Sequence, residues 1–224
     1  MVKSSNKIEY SILVLFLFSF LLGAATIIAG QKFHLDEKLL DKAEHKFGRE
    51  ARSLLVSWED LINHDTSLTD HERLKRVNDF FNRLEFVDDS THWGKKDYWA
   101  TPIEFLGSRG GDCEDFTIAK YFTLKAMGVA EERLNLTYVK ALHYNVPHMV
   151  LTYYATPDAE PLVLDNLVKD IKRASERSDL IPIYSFNGTG LWLAKQRGRG
   201  KLFEGTGRLQ LWQDLMQRMS EDIF

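Results

Sequence analysis

Between Leu35 and Ile62 the apolar residues fall at steps of three and four: Leu35, Leu39, Leu40, Ala43, Phe47, Ala51, Leu54, Leu55, Trp58, Leu61 and Ile62, with Lys, Glu and Arg between them. This spacing predicts one long amphipathic helix with a single buried face. Thr69 followed by Glu72 has capping-box spacing and opens a second helix carrying Leu74, Val77, Phe80, Phe81 and Leu84. From Asp88 to Gly111 the period is lost, and a run rich in Trp, Gly and Pro reads as a long surface connection of the kind that builds sites. The helical period returns in GDCEDFTIAKYFTLKAMG. There Phe116, Ala119, Phe122 and Ala126 line one face, and Gly128 stands at the C-terminal cap.

Three strand-like runs follow, at 134–142, 148–156 and 161–167, each rich in β-branched or aromatic residues and joined by short connections. An antiparallel meander is the economical arrangement. Residues 181–194 add a further candidate strand, and the tail ends in a short helix with Leu211, Leu215 and Met219. Two helices, a long loop, a helix opening at the cysteine and then an antiparallel sheet make an α+β domain.

Composition changes this picture little. The 224 residues carry a net charge of -3, which excludes the broad basic surface of a non-specific nucleic-acid binder. The N-terminus changes it more. Lys3 and Lys7 precede a stretch, Tyr10 to Gln31, without a charged residue. A positive start before an apolar run is an export signal, so residues 31–224 are expected as a domain outside the cytoplasm, in the periplasm. Residues 1–30 are long enough for a cleaved signal peptide or a retained membrane anchor, and both readings stand.

Export gives weight to the single cysteine, Cys113, which has no second cysteine in the chain to pair with. It follows two glycines at the start of a helix. Unpaired N–H groups and the helix dipole there favour a thiolate and can hold an oxyanion beside it. His148 lies 35 residues on and Asp165 a further 17. Neighbouring strands would set imidazole beside carboxylate, with the sulfur at the other ring nitrogen, the nucleophile–base–orienter arrangement. Spacing alone leaves other readings open: Cys113 as a small core residue, His143 in place of His148, Asp165 as a turn residue. Asp112, Glu114 and Asp115 are either plain helix capping or oxygen ligands, and three carboxylates would raise a neighbouring thiol's pKa unless a cation offsets them.

With these residues in view, DYWATPIEFLGSRGGDCEDFTIAKYFTLKAMGV, PHMVLTYY and PLVLDNL resemble the LapG-type bacterial transglutaminase-like cysteine proteinases over roughly residues 45 to 195. The resemblance implies a papain/transglutaminase-like core with a triad of Cys113, His148 and Asp165. It implies Ca²⁺ as cofactor, with Asp112, Glu114 and Asp115 as ligands. It also implies a periplasmic endopeptidase that cuts the N-terminal region of a large surface adhesin at an Ala-Ala bond and disperses biofilm. Such enzymes are sequestered by a LapD-like inner-membrane receptor for cyclic di-GMP. A transglutaminase, a cell-wall amidase and a non-catalytic binding module on the same scaffold are the competing expectations.

Overall fold

The computed structural model describes residues 32–188, 190–193 and 208–223. The predicted signal or anchor segment, residues 1–30, lies outside them. Among the described residues no helix is long and apolar enough to cross a membrane.

Two helices, α1 (Glu37–Phe47) and α2 (Arg49–Asn63), occupy the stretch predicted as one. The break is Gly48, whose φ of 93° lies where side-chain-bearing residues rarely go. Its N–H closes α1 on the Glu44 carbonyl at 2.8 Å. The apolar spacing runs through the break because both helices bury it, through Leu40 and Ala43 in α1 and Ala51, Leu55, Trp58 and Ile62 in α2. Helix α3 (Asp70–Phe81) starts at Thr69 with the expected reciprocal cap.

The predicted surface connection is instead structured over much of its length and buried from Trp99 to Gly107 apart from half-buried Glu104. It contains α4 (Asp89–His92), α5 (Pro102–Ser108) and β2 (Gly110–Gly111), and β2 pairs in parallel with β1 (Glu85–Phe86), which precedes it. Trp99, Ala100, Phe105 and Leu106 are core residues. Thr101 and Glu104 cap α5 reciprocally and Pro102 takes its first turn. Seven residues are too few for a helical period to show, but Thr-Pro-x-Glu was the legible signal.

Helix α6 (Cys113–Ala126) runs through the middle of the domain, with α2, α3 and α5 on one side and the sheet on the other. It therefore buries more than one face: Ile118, Tyr121 and Leu124 are as buried as Phe116 and Ala119, while Ala126 is exposed. A helix that buries more than one face belongs in the interior.

The sheet comprises β3 (Leu134–Ala141), β4 (Val146–Tyr153), β5 (Leu162–Leu164), β6 (Lys172–Arg173), β7 (Leu180–Asn187) and β8 (Gly190–Leu193). Their order is β6-β5-β4-β3-β7-β8, with every neighbour antiparallel. The meander β3–β4–β5 is thus as expected, and the run from 181 forms a hairpin on the far side of β3. Leu136, Met149, Leu151 and Leu164 join the core around α6. Val139, Val150 and Val163 make a small separate cluster, as the two-residue alternation of strands requires. The C-terminal helix α7 (Arg208–Ile223) buries Leu215 and Met219.

Candidate active site

The β4–β5 ladder covers only Leu151 to Tyr153, so the first half of β4 has no β5 beside it. The start of α6 fills that place. One turn apart on the helix, Cys113 and Thr117 both reach the main chain of Met149. The Thr117 hydroxyl donates to its carbonyl at 3.1 Å, and its N–H bonds the cysteine sulfur. Cys113 is thereby seated beside the residue that follows His148. Within the same stretch, His148 Nε2 lies 2.8 Å from Asp165 Oδ1, leaving Nδ1 as the nitrogen not committed to the carboxylate. Both side chains are buried. His143, the competing histidine, sits exposed in the β3–β4 turn against Tyr144.

Asp165 is held on every side. Oδ1 also accepts the Leu167 N–H at 3.0 Å, and Oδ2 accepts from Arg177 Nη2 at 2.8 Å. Burial works against its charge, but the His148 bond, the Leu167 N–H and Arg177 outweigh it and lower its pKa to about 2. Arg177 is itself buried and also grips Asp179 at 2.8 and 2.9 Å. Sequence reasoning missed Arg177, because the polar run SERSD carries no period and reads as loop.

At the start of α6, Asp112 caps the helix by accepting the Glu114 N–H at 3.1 Å, and Asp115 folds back onto the Asp112 N–H at 3.3 Å. Asp115 also accepts the Ala100 N–H at 2.7 Å. That fold-back needs Gly111: a Cβ there would lie 2.2 Å from Asp115 Oδ2. The structure adds an acid the sequence did not offer. Asp89, in α4, brings a carboxylate oxygen within 4.8 Å of those of Asp112 and Asp115. Its Oδ2 accepts the Tyr98 N–H at 2.5 Å, while its Oδ1 is buried with no hydrogen-bond partner. Glu114, expected as a ligand with Asp112 and Asp115, has a carboxylate oxygen within 4.8 Å of one of Asp112 and of the Cys113 sulfur, and its Oε2 accepts the Cys113 S–H at 2.6 Å.

Burial, and then the neighbouring carboxylates, push Asp112 up to about 10 and Asp89 to about 6, and raise Asp115 well above the usual range. Burial together with Glu114 and Asp112 likewise raises the Cys113 thiol, against the Met149 N–H. An all-oxygen set with an unpartnered buried Oδ1 suits a hard divalent cation.

The profile of the bacterial transglutaminase-like cysteine proteinases matches residues 57–194, a span that holds Cys113, His148 and Asp165. The chain belongs to this family. It is a cysteine protease with the α+β, transglutaminase-like fold of its relatives. Calcium-bound LapG of Legionella pneumophila is 43% identical, covering 81% of this chain and 98% of its own, with a TM-score of 0.71. EGTA-treated LapG of the same organism is 41% identical, covering 84% and 99%, with a TM-score of 0.72. No curated protein sequence matches the chain.

Proposed function

We propose that this transglutaminase-like cysteine proteinase is a calcium-dependent endopeptidase with Cys113 as nucleophile, His148 as base and Asp165 as its orienter. The observation that carries the reading is the 2.8 Å bond between His148 and Asp165 at the strand segment against which the Cys113 sulfur is seated. With Nε2 bonded to Asp165, His148 accepts the thiol proton at Nδ1. The thiolate adds to the scissile carbonyl, and the Cys113 N–H at the positive end of the α6 dipole stabilises the oxyanion. His148 then gives the proton to the departing amine as the C–N bond breaks, leaving a thioester. Water, deprotonated by His148, hydrolyses the thioester and frees the new C-terminus. Asp165 stays ionised throughout, held by Arg177 and the Leu167 N–H.

Asp112, Glu114 and Asp115, with Asp89 beside them, are the residues that would hold Ca²⁺; when bound, it supplies positive charge that offsets the carboxylates crowding the thiol. The similarity to calcium-bound and EGTA-treated LapG supports calcium as the cation. The family resemblance extends the proposal to location, substrate and control. The enzyme acts in the periplasm, residues 1–30 serving as signal or anchor. It cuts the N-terminal region of a large surface adhesin at an Ala-Ala bond, and a LapD-like cyclic di-GMP receptor in the inner membrane restrains it.

The test is alkylation of Cys113 by iodoacetamide against pH, read by mass, with calcium and with EGTA. The single cysteine makes the adduct unambiguous. A midpoint well below the free-thiol value of about 8.5 with calcium, lost with EGTA and in His148→Ala, is expected. A slow, ordinary thiol under both conditions would overturn the proposal. Cleavage of an N-terminal adhesin fragment by the wild type but not by Cys113→Ala tests the substrate assignment separately.

A further inference from the structure

Asn78, Asn82 and Lys120 form a buried polar cluster that none of the steps above uses. Lys120 lies two turns along α6 from Cys113 and is 1% exposed. Its ammonium has three donors and meets three acceptors: Asn78 Oδ1 at 2.9 Å, Asn82 Oδ1 at 2.8 Å and the main-chain carbonyl of Asp165 at 3.1 Å. Asn82 Nδ2 donates to the same carbonyl at 2.8 Å and to Asn78 Oδ1 at 3.2 Å. Asn78 Nδ2 donates to the carbonyl of Lys169 at 2.6 Å. The segment leaving β5 is therefore pinned at both Asp165 and Lys169 by side chains of α3 and α6. The Asp165 carboxylate is gripped separately, by His148, Leu167 and Arg177.

Burying an ammonium is costly, and here burial brings its pKa down to about 7 against the favourable charge of Asp165. Methionine would fill a similar shape without that cost, so packing does not account for a lysine here. What the ammonium does, and methionine would not, is join two asparagines to one carbonyl. That carbonyl belongs to the residue on which the His148 ring is oriented.

We propose that Lys120 is a positioning residue for the reaction: with Asn82 it fixes the main chain at Asp165, and so the angle at which that carboxylate meets His148. The proposal rests on the Cys113–His148–Asp165 reading. A small change in that angle is amplified, because a base oriented off its line transfers a proton poorly.

The test uses the full chain and two readouts. The first is the downfield ring N–H proton of His148 in its bond to Asp165, assigned in the NMR spectrum by its loss in His148→Gln. In Lys120→Met this resonance moves upfield and exchanges with water at least tenfold faster. The second is the rate of Cys113 alkylation by iodoacetamide at neutral pH. It falls at least fivefold in Lys120→Met, but Lys120→Met changes it less than twofold when added to Asp165→Asn. Should Lys120→Met fail to fold, Asn82→Ser, which removes one of the two donors to the carbonyl, shifts the same resonance by a smaller step. An unmoved resonance in a folded variant, or an equal fractional loss of rate in both backgrounds, would overturn the proposal alone. A wild-type spectrum with no such resonance would overturn the triad reading and the proposal with it.

Discussion

Gly111 shows how much of this site turns on a single hydrogen atom. Only a residue without Cβ lets the Asp115 carboxylate lie against it while bonding the N–H groups of Asp112 and Ala100. Gly111→Ala is therefore expected to displace Asp115 and weaken calcium binding at least tenfold by isothermal titration calorimetry, with the far-ultraviolet circular dichroism unchanged. Unaltered affinity would remove Asp115 from the proposed ligand set. Arg177 makes a different kind of contribution. Removing one member of a buried ion pair strands the other, so Arg177→Met should lower stability by about 3 kcal/mol. Urea denaturation reads that loss, and a change under about 1 kcal/mol would mean that Asp165 and Asp179 find other partners.

At the scale of elements, the helices obeyed local rules wherever a cap was written into the chain. Thr69 with Glu72 was readable and starts α3 as expected. Thr101 with Glu104 carries the same signal for α5, hidden in a stretch whose irregular composition suggested a loop. Thr101→Ala should cost about 1 kcal/mol of stability through the lost cap. The division of α1 from α2 rests on the backbone of Gly48, at φ 93° and ψ 172°, with nothing within 4 Å of where a Cβ would stand. Gly48→Ala should thus cost roughly 2 kcal/mol from backbone strain alone, visible as a lower urea midpoint with an unchanged slope. An apolar stripe cannot reveal such a break, because helices on either side of it can bury the same stripe.

For the whole molecule, the Asp165 network couples folding to pH. A carboxyl lowered from its ordinary 3.8 to about 2 on folding makes the native state bind fewer protons than the unfolded state between those values. Its contribution, about 2 kcal/mol, is complete above pH 5 and is lost as pH falls through 4 towards 2. Urea midpoints of the wild type should fall across that window, and their advantage over Asp165→Asn should shrink with them. A constant difference would mean that Asp165 is not ionised in the native state. Calcium should act in the opposite sense on stability: at a hundredfold excess over its dissociation constant it adds about 3 kcal/mol to the native state. The melting temperature in calcium should therefore exceed that in EGTA, and Asp89→Asn should abolish the difference.

The sequence by itself determined the α+β class, the helices α3 and α6, the meander and the placing of Cys113 at a helix start, because periodicity, caps and β-branched runs act over a few residues. It also held the motif by which the family is recognised. Only the tertiary structure decided that His148 rather than His143 meets Asp165, since pairing register settles which strand residues adjoin. Only folding brought Asp89 to Asp112 and Asp115, or set Arg177 on the carboxylate and Lys120 on the main-chain carbonyl of Asp165. Those contacts join residues 12 to 45 positions apart in the chain, where no local pattern reaches and only tertiary packing fixes the distance.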